Sequence, residues 1–189
     1  MRRVGVFCGA SPGRGDQHLA LARELGRGLV AHGLGLVYGG ARVGLMGALA
    51  DSCLAAGGTV VGVIPRFMAP HEKAHLGLTE LHLVETMHQR KAKMAELSAG
   101  FIALPGGLGT LDELFEIATW SYLGLHAKPF CLLDPDGYYR PLLEFLDHSV
   151  AHGFVRPEQR ATFLHARDVA TAVQLSLPPS ANHTLSTVP

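Results

Sequence analysis

Three glycine-rich loops are the first candidates for chemistry: Gly9-Ala10-Ser11-Pro12-Gly13, Gly39-Gly40-Ala41-Arg42-Val43-Gly44 and Pro105-Gly106-Gly107-Leu108-Gly109-Thr110. Each follows a short apolar run and precedes a helical pattern. Glycine lets the backbone approach a ligand closely, and a following helix offers unpaired N–H groups at the positive end of its dipole. A phosphate is the natural guest of the third loop. A tight strand-to-helix turn would also use glycine, but the position and density together favour the phosphate. None of the loops matches Gly-x-x-x-x-Gly-Lys-Ser/Thr, and Gly39-Gly40-x-x-x-Gly44 is not the dinucleotide fingerprint. Nucleoside triphosphate hydrolysis and hydride transfer therefore lose support.

Thr110-x-x-Glu113 reads in two ways. Its spacing is that of a capping box, worth on the order of 1 kcal/mol at a helix start. From spacing alone, capping is the stronger reading. The functional reading aims the Glu113 carboxylate at a sugar just beyond the helix tip, and the two roles are compatible. In Met87-His88-Gln89-Arg90-Lys91, a helical turn of about 100° per residue puts Met87, Arg90, Lys91, Met94, Leu97 and Ser98 on one face. Gln89, Lys93 and Glu96 fall opposite. Two cations thus share an apolar face, where charge is costly unless paired. A structural carboxylate would satisfy them, and Lys91 can also snorkel to water. The arginine fork, which matches phosphate and carboxylate geometry, favours a ligand-facing Arg90.

The helix from Leu111 carries apolar residues on two sides: Leu111, Leu114, Phe115, Ala118 and Tyr122 on one, Ile117 and Trp120 beside Glu113 on the other. Burial on both sides predicts a homodimer. No metal site is expected, because His71 and His75 stand at i, i+4 outside any His-Glu-x-x-His sequence. Neither is a Schiff-base lysine: Lys73, Lys91, Lys93 and Lys128 all lack a clear apolar pocket in the sequence.

The elements that must position these residues alternate. Strands are predicted at 4–8, 34–38, 59–64, 81–84, 101–104 and 130–133, most of them apolar throughout, as parallel strands covered on both faces should be. Between them lie helices at 17–32, 45–56, 88–99 and 110–123. After the turn Asp134-Pro135-Asp136-Gly137 come a helix near 142–152, a short strand at 162–165 and a helix over 168–175. This pattern predicts a single doubly wound α/β domain over residues 1–176 with a mostly parallel sheet, followed by a mobile tail over 177–189. Ligands in such sheets bind outside the carboxyl ends of the strands, where all three glycine loops fall.

Composition sets the boundaries. Sixteen basic residues balance sixteen acidic ones, so no global field attracts nucleic acid or an anionic membrane, and phosphate recognition must be local. Cys8, Cys53 and Cys131 have no metal-type spacing and read as reduced thiols of a cytoplasmic protein. The N-terminal apolar run is too short for a signal peptide, and no stretch is long enough to span a bilayer.

Taken together, the segments resemble the Lonely Guy (LOG) family, cytokinin riboside 5′-monophosphate phosphoribohydrolases often labelled lysine decarboxylases. The likeness runs from Val4-Gly5-Val6-Phe7-Cys8-Gly9 through Leu36-Val37-Tyr38-Gly39-Gly40, Val43-Gly44-Leu45-Met46-Gly47 and Met87-His88-Gln89-Arg90-Lys91. It continues through Pro105 to Glu113, Thr119-Trp120 and Gly137-Tyr138-Tyr139. The chain departs from the family pattern at Ala41-Arg42 and over His71-Glu72-Lys73-Ala74-His75. The resemblance implies a Rossmann-like, dimeric enzyme that splits a purine nucleoside 5′-monophosphate, AMP or its prenylated analogue, into free base and ribose 5-phosphate without a cofactor. It implies that Arg90 and Glu113 are catalytic. It further implies that Glu72, Met87, Lys91, Gly106, Gly107, Leu108, Gly109, Thr110 and Thr119 contact the substrate. Two competing readings make different predictions: a non-catalytic nucleotide-binding module binds without turnover, and a pyridoxal-phosphate decarboxylase depends on one lysine.

Overall fold

A computed structural model describes residues 1–69 and 74–178. Glu72, His71 and residues 179–189 of the expected tail lie outside the described residues. Seven strands form one sheet: β1 (Arg3–Phe7), β2 (Gly35–Tyr38), β3 (Val60–Pro65), β4 (Glu80–Val84), β5 (Gly100–Ala103), β6 (Phe130–Leu133) and β7 (Leu164–Ala166). Their order is β4-β3-β2-β1-β5-β6-β7. Every pairing is parallel, so the sheet is wholly rather than mostly parallel.

Alternation along the central strands explains why they bury both faces. Val4 and Val6 of β1, Leu36 and Tyr38 of β2 and Ile102 of β5 point to one core. Phe7, Val37, Phe101 and Ala103 point to the other. The first core is closed by α1 (Gln17–Ala31), α2 (Gly44–Ala55) and α7 (Val169–Leu175). The second is closed by α3 (Met87–Leu97), α4 (Leu108–Tyr122) and α5 (Arg140–Ala151). A short helix, α6 (Pro157–Ala161), has no counterpart in the sequence reading, being only five residues long. The predicted strand at 162–165 is displaced to Leu164–Ala166.

β1 sits at the centre with β2 on one side and β5 on the other. The strand order reverses there, and the loops leaving β1 and β5 open a crevice at the carboxyl edge. Gly9 N–H donates to the Pro105 carbonyl at 3.2 Å, and Leu45 N–H to the Gly9 carbonyl at 3.1 Å. The three glycine loops are thereby tied into one rim. Gly44 has φ +56°, and a Cβ there would strike the Ala10 carbonyl, so both the conformation and the space oppose a side chain. Cys8, Cys53 and Cys131 are free and buried. Among the described residues, no helix is long and apolar enough to cross a membrane.

Candidate active site

A cavity of about 580 Å³ opens at this rim, within the range of small-molecule sites. Its walls include Arg90 and Met87 from α3, Gly106, Gly107, Gly109 and Thr110 from the loop before and into α4, and Glu113 from α4 itself. The capping box is present, but at α3: Thr86 Oγ1 accepts from Gln89 N–H at 3.1 Å, and Gln89 Oε1 accepts from Thr86 N–H at 3.3 Å. This cap fixes the first turn of α3, and Arg90 at its fourth position enters the interior, only 5% exposed. Its Nε donates to the Val63 carbonyl at 3.2 Å and its Nη2 to the Gly39 carbonyl at 3.1 Å. A Cβ on Gly39 would collide with Nη2, so the absence of a side chain there is what admits the guanidinium.

Glu113 completes the pair. It is 8% exposed, and its Oε1 lies 3.9 Å from Arg90 Nη2. The capping role expected of Thr110 and Glu113 is overturned. The N-cap of α4 is Gly107, in an extended conformation and without a side-chain cap, which starts the helix three residues earlier than a Thr110 cap requires. Thr110 is instead a buried third residue packed on Gly106, and Glu113 stands six residues past the N-cap, outside the capping-box position.

The chain is similar over most of its length to known proteins. The family model described as "Possible lysine decarboxylase" matches residues 46–175. A cytokinin riboside 5′-monophosphate phosphoribohydrolase from Rhodococcoides fascians is 56% identical over 173 residues, 91% of this chain and 87% of that protein. The chain belongs to the Lonely Guy family. A second relative of the same name from Arabidopsis thaliana is 46% identical over 165 residues, covering 87% of this chain and 77% of its own. A solved molybdenum cofactor carrier protein from Chlamydomonas reinhardtii has the same fold, with a TM-score of 0.66 at 24% identity over 92% of this chain and 94% of that one. Membership of the Lonely Guy family makes the chain an enzyme of the phosphoribohydrolase class.

Three residues that the Lonely Guy pattern assigns to the substrate stand elsewhere within one subunit. Lys91 is 9% exposed, and its Nζ bonds Asp112 Oδ2 at 3.0 Å and Glu116 Oε2 at 3.1 Å, away from the cavity lining. Desolvation lowers its pKa, but the hydrogen bonds and charges of the two carboxylates outweigh it and leave the pKa above the ordinary lysine value. Leu108 is 86% exposed. Thr119 lies on the exposed flank of α4 beside Phe115 and Trp120. None of the described lysines lines the cavity.

The cavity also has walls that sequence reasoning did not assign. His18, Met46, Met68 and Tyr138 line it, as do Cys8 and Ser11. Tyr138 donates its hydroxyl to the Gly106 carbonyl at 2.6 Å, and Tyr139 donates to the Leu104 carbonyl at 2.6 Å. Both backbone N–H groups are held by the Asp134 carboxylate, at 2.8 and 2.7 Å. The Asp134-Pro135-Asp136-Gly137 turn and its tyrosines thus prop the glycine loop from behind. Those two motifs were the available signal. Burial pushes the Cys8 thiol far above its ordinary pKa, with the Glu113 charge adding to the rise and Arg90 opposing it, so Cys8 is a neutral wall rather than a nucleophile.

Proposed function

We propose that this enzyme hydrolyses the N-glycosidic bond of a cytokinin riboside 5′-monophosphate, releasing the free base and ribose 5-phosphate. The observation that carries the reading is the Arg90–Glu113 pair, 3.9 Å apart, in a cavity whose rim is the glycine loop at the start of α4. The amides at that helix start suit a 5′-phosphate, and remote binding there positions the reacting ribose carbon. Departure of the base builds positive charge on the ribose. The Glu113 carboxylate stabilises that charge and orients the attacking water, whose hydroxyl goes to C1′ while the base leaves with a proton. Arg90, pinned by two carbonyls, orients the sugar and hydrogen-bonds the departing group. Met46, Met68 and Met87 give the cavity an adaptable apolar wall suited to a purine and an N6 substituent.

A homodimer fits the same reading. Leu114 and Ile117 share the buried face of α4 with Glu113, while Phe115, Tyr122 and Phe154 leave apolar surface exposed beside Thr119. The Thr119 substrate contact implied by the family would then depend on assembly. Three free thiols and a nucleotide substrate agree with a cytoplasmic enzyme.

The test is a substrate panel with free-base detection: AMP, N6-prenyl-AMP and the matching nucleosides lacking phosphate. Base is expected from the nucleotides, with the nucleosides much poorer. Tight nucleotide binding with no release would instead assign the chain to a binding module.

A further inference from the structure

Two cations are buried on α3, and only one of them faces the cavity. Arg90 meets Glu113 across a gap of 3.9 Å. Its neighbour Lys91 meets Asp112 and Glu116 at 3.0 and 3.1 Å. Asp112 immediately precedes Glu113, and Glu116 follows it by three residues on the next turn of α4. The short ion pairs therefore join the same two helical turns that carry the long one. Arg90 is fixed to the sheet by the Val63 and Gly39 carbonyls, but those bonds say nothing about where α4 stands. The Arg90–Glu113 approach is too long to set that spacing by itself. Lys91 is placed to do so, with its amine largely out of water, one charge-assisted hydrogen bond to Asp112 and an ion pair to Glu116 on the same helix.

We infer that Lys91 is a positioning residue: its clamp on Asp112 and Glu116 sets the width of the gap between Arg90 and Glu113. The inference rests on the proposed hydrolysis of a nucleoside monophosphate and replaces the direct substrate contact that the family pattern gives Lys91. A gap held by a clamp behaves differently from a binding contact. Loosening it misplaces the carboxylate relative to the sugar while leaving the phosphate rim intact, so turnover suffers and substrate affinity does not.

The test compares wild type with Lys91→Met, Lys91→Arg and Glu116→Gln, each with its melting midpoint, kcat and KM for AMP and N6-prenyl-AMP, and a crystal structure. For Lys91→Met, kcat is expected to fall by about 10- to 100-fold with KM within about threefold. Lys91→Arg recovers most of the loss because its fork can reach both carboxylates, and Glu116→Gln gives a smaller kcat loss of the same kind. If Lys91→Met fails to fold, the Glu116→Gln result decides alone. A KM increase above about tenfold with kcat retained would make Lys91 a substrate contact and overturn the inference. Unchanged kcat in both variants overturns it as well. If wild type itself releases no base, the functional reading falls, and the clamp is judged by the crystal structures: an Arg90–Glu113 separation that stays at the wild-type value without the clamp refutes it.

Discussion

On the face covered by α1, α2 and α7, the described helices contribute no buried charge, and residues such as Leu25, Leu29, Leu49 and Val173 meet apolar strand side chains. On the face covered by α3 and α4, Arg90, Lys91, Thr110 and Glu113 are buried among Phe7, Met94 and Leu114. One sheet therefore keeps its buried helical charges on one side, while the other side lends the cavity apolar residues such as Leu45 and Met46. Buried charge weakens a fold unless each ion is met, and here it is met by carbonyls and by opposite charges that also define the site. The site's electrostatics and its local folding are the same set of contacts.

That comparison is breakable in order of effect. Glu113→Gln keeps the shape and removes the charge, so kcat should fall by about 10²- to 10³-fold. Its melting midpoint should move far less than a core truncation moves it, since the substitution leaves no cavity and Glu113 is not at the capping-box position of α4. A folded variant with full activity would take Glu113 out of the mechanism. Next in size, Leu49→Ala on the apolar face should cost about 2–5 kcal/mol in urea unfolding while leaving kcat of the folded enzyme unchanged. A parallel loss of kcat would show that the two faces are not separable. The smallest effect concerns pH. Folding raises the Lys91 pKa, so its contribution to stability is complete below the unfolded lysine value near 10.4 and is lost as pH rises through the higher folded value. The stability difference between wild type and Lys91→Met should be flat from about pH 8 to 10 and shrink above that. A difference that already shrinks below pH 9 would mean that Lys91 loses its charge before solvent lysines do.

The strands were legible because both their faces are apolar, and their bounds moved by only a residue or two. Arg90 and Glu113 were legible as well, one as a cation on an apolar helix face and the other through the Pro105–Glu113 motif. What failed was decided by backbone conformation or by distant partners. Thr110-x-x-Glu113 and Thr86-x-x-Gln89 have the same spacing, yet only the second is a cap, because Gly107 starts α4 before Thr110 is reached. For Lys91 the sequence left a ligand, water or a structural carboxylate open; the carboxylates prevail, but which ones could not be read, since they lie 21 and 25 residues further along the chain on the neighbouring helix. Tyr138 reaches the Gly106 carbonyl across 32 residues, a bond set by the packing of β6 and its following turn rather than by local pattern. His18 and Met68 carried no motif at all, and Met46 lay in a quoted segment without being given a role.

Gly39 and Arg90 are 51 residues apart and occupy one volume between them. The smallest side chain in the repertoire is the mould for one of the largest. Variation at position 39 is consequently coupled to position 90: an alanine or serine placed there makes the Nη2 end of the guanidinium shift from its present seat. Efforts to re-engineer this enzyme for new bases must therefore treat the two positions as a single unit and leave the floor untouched while the methionine wall is varied.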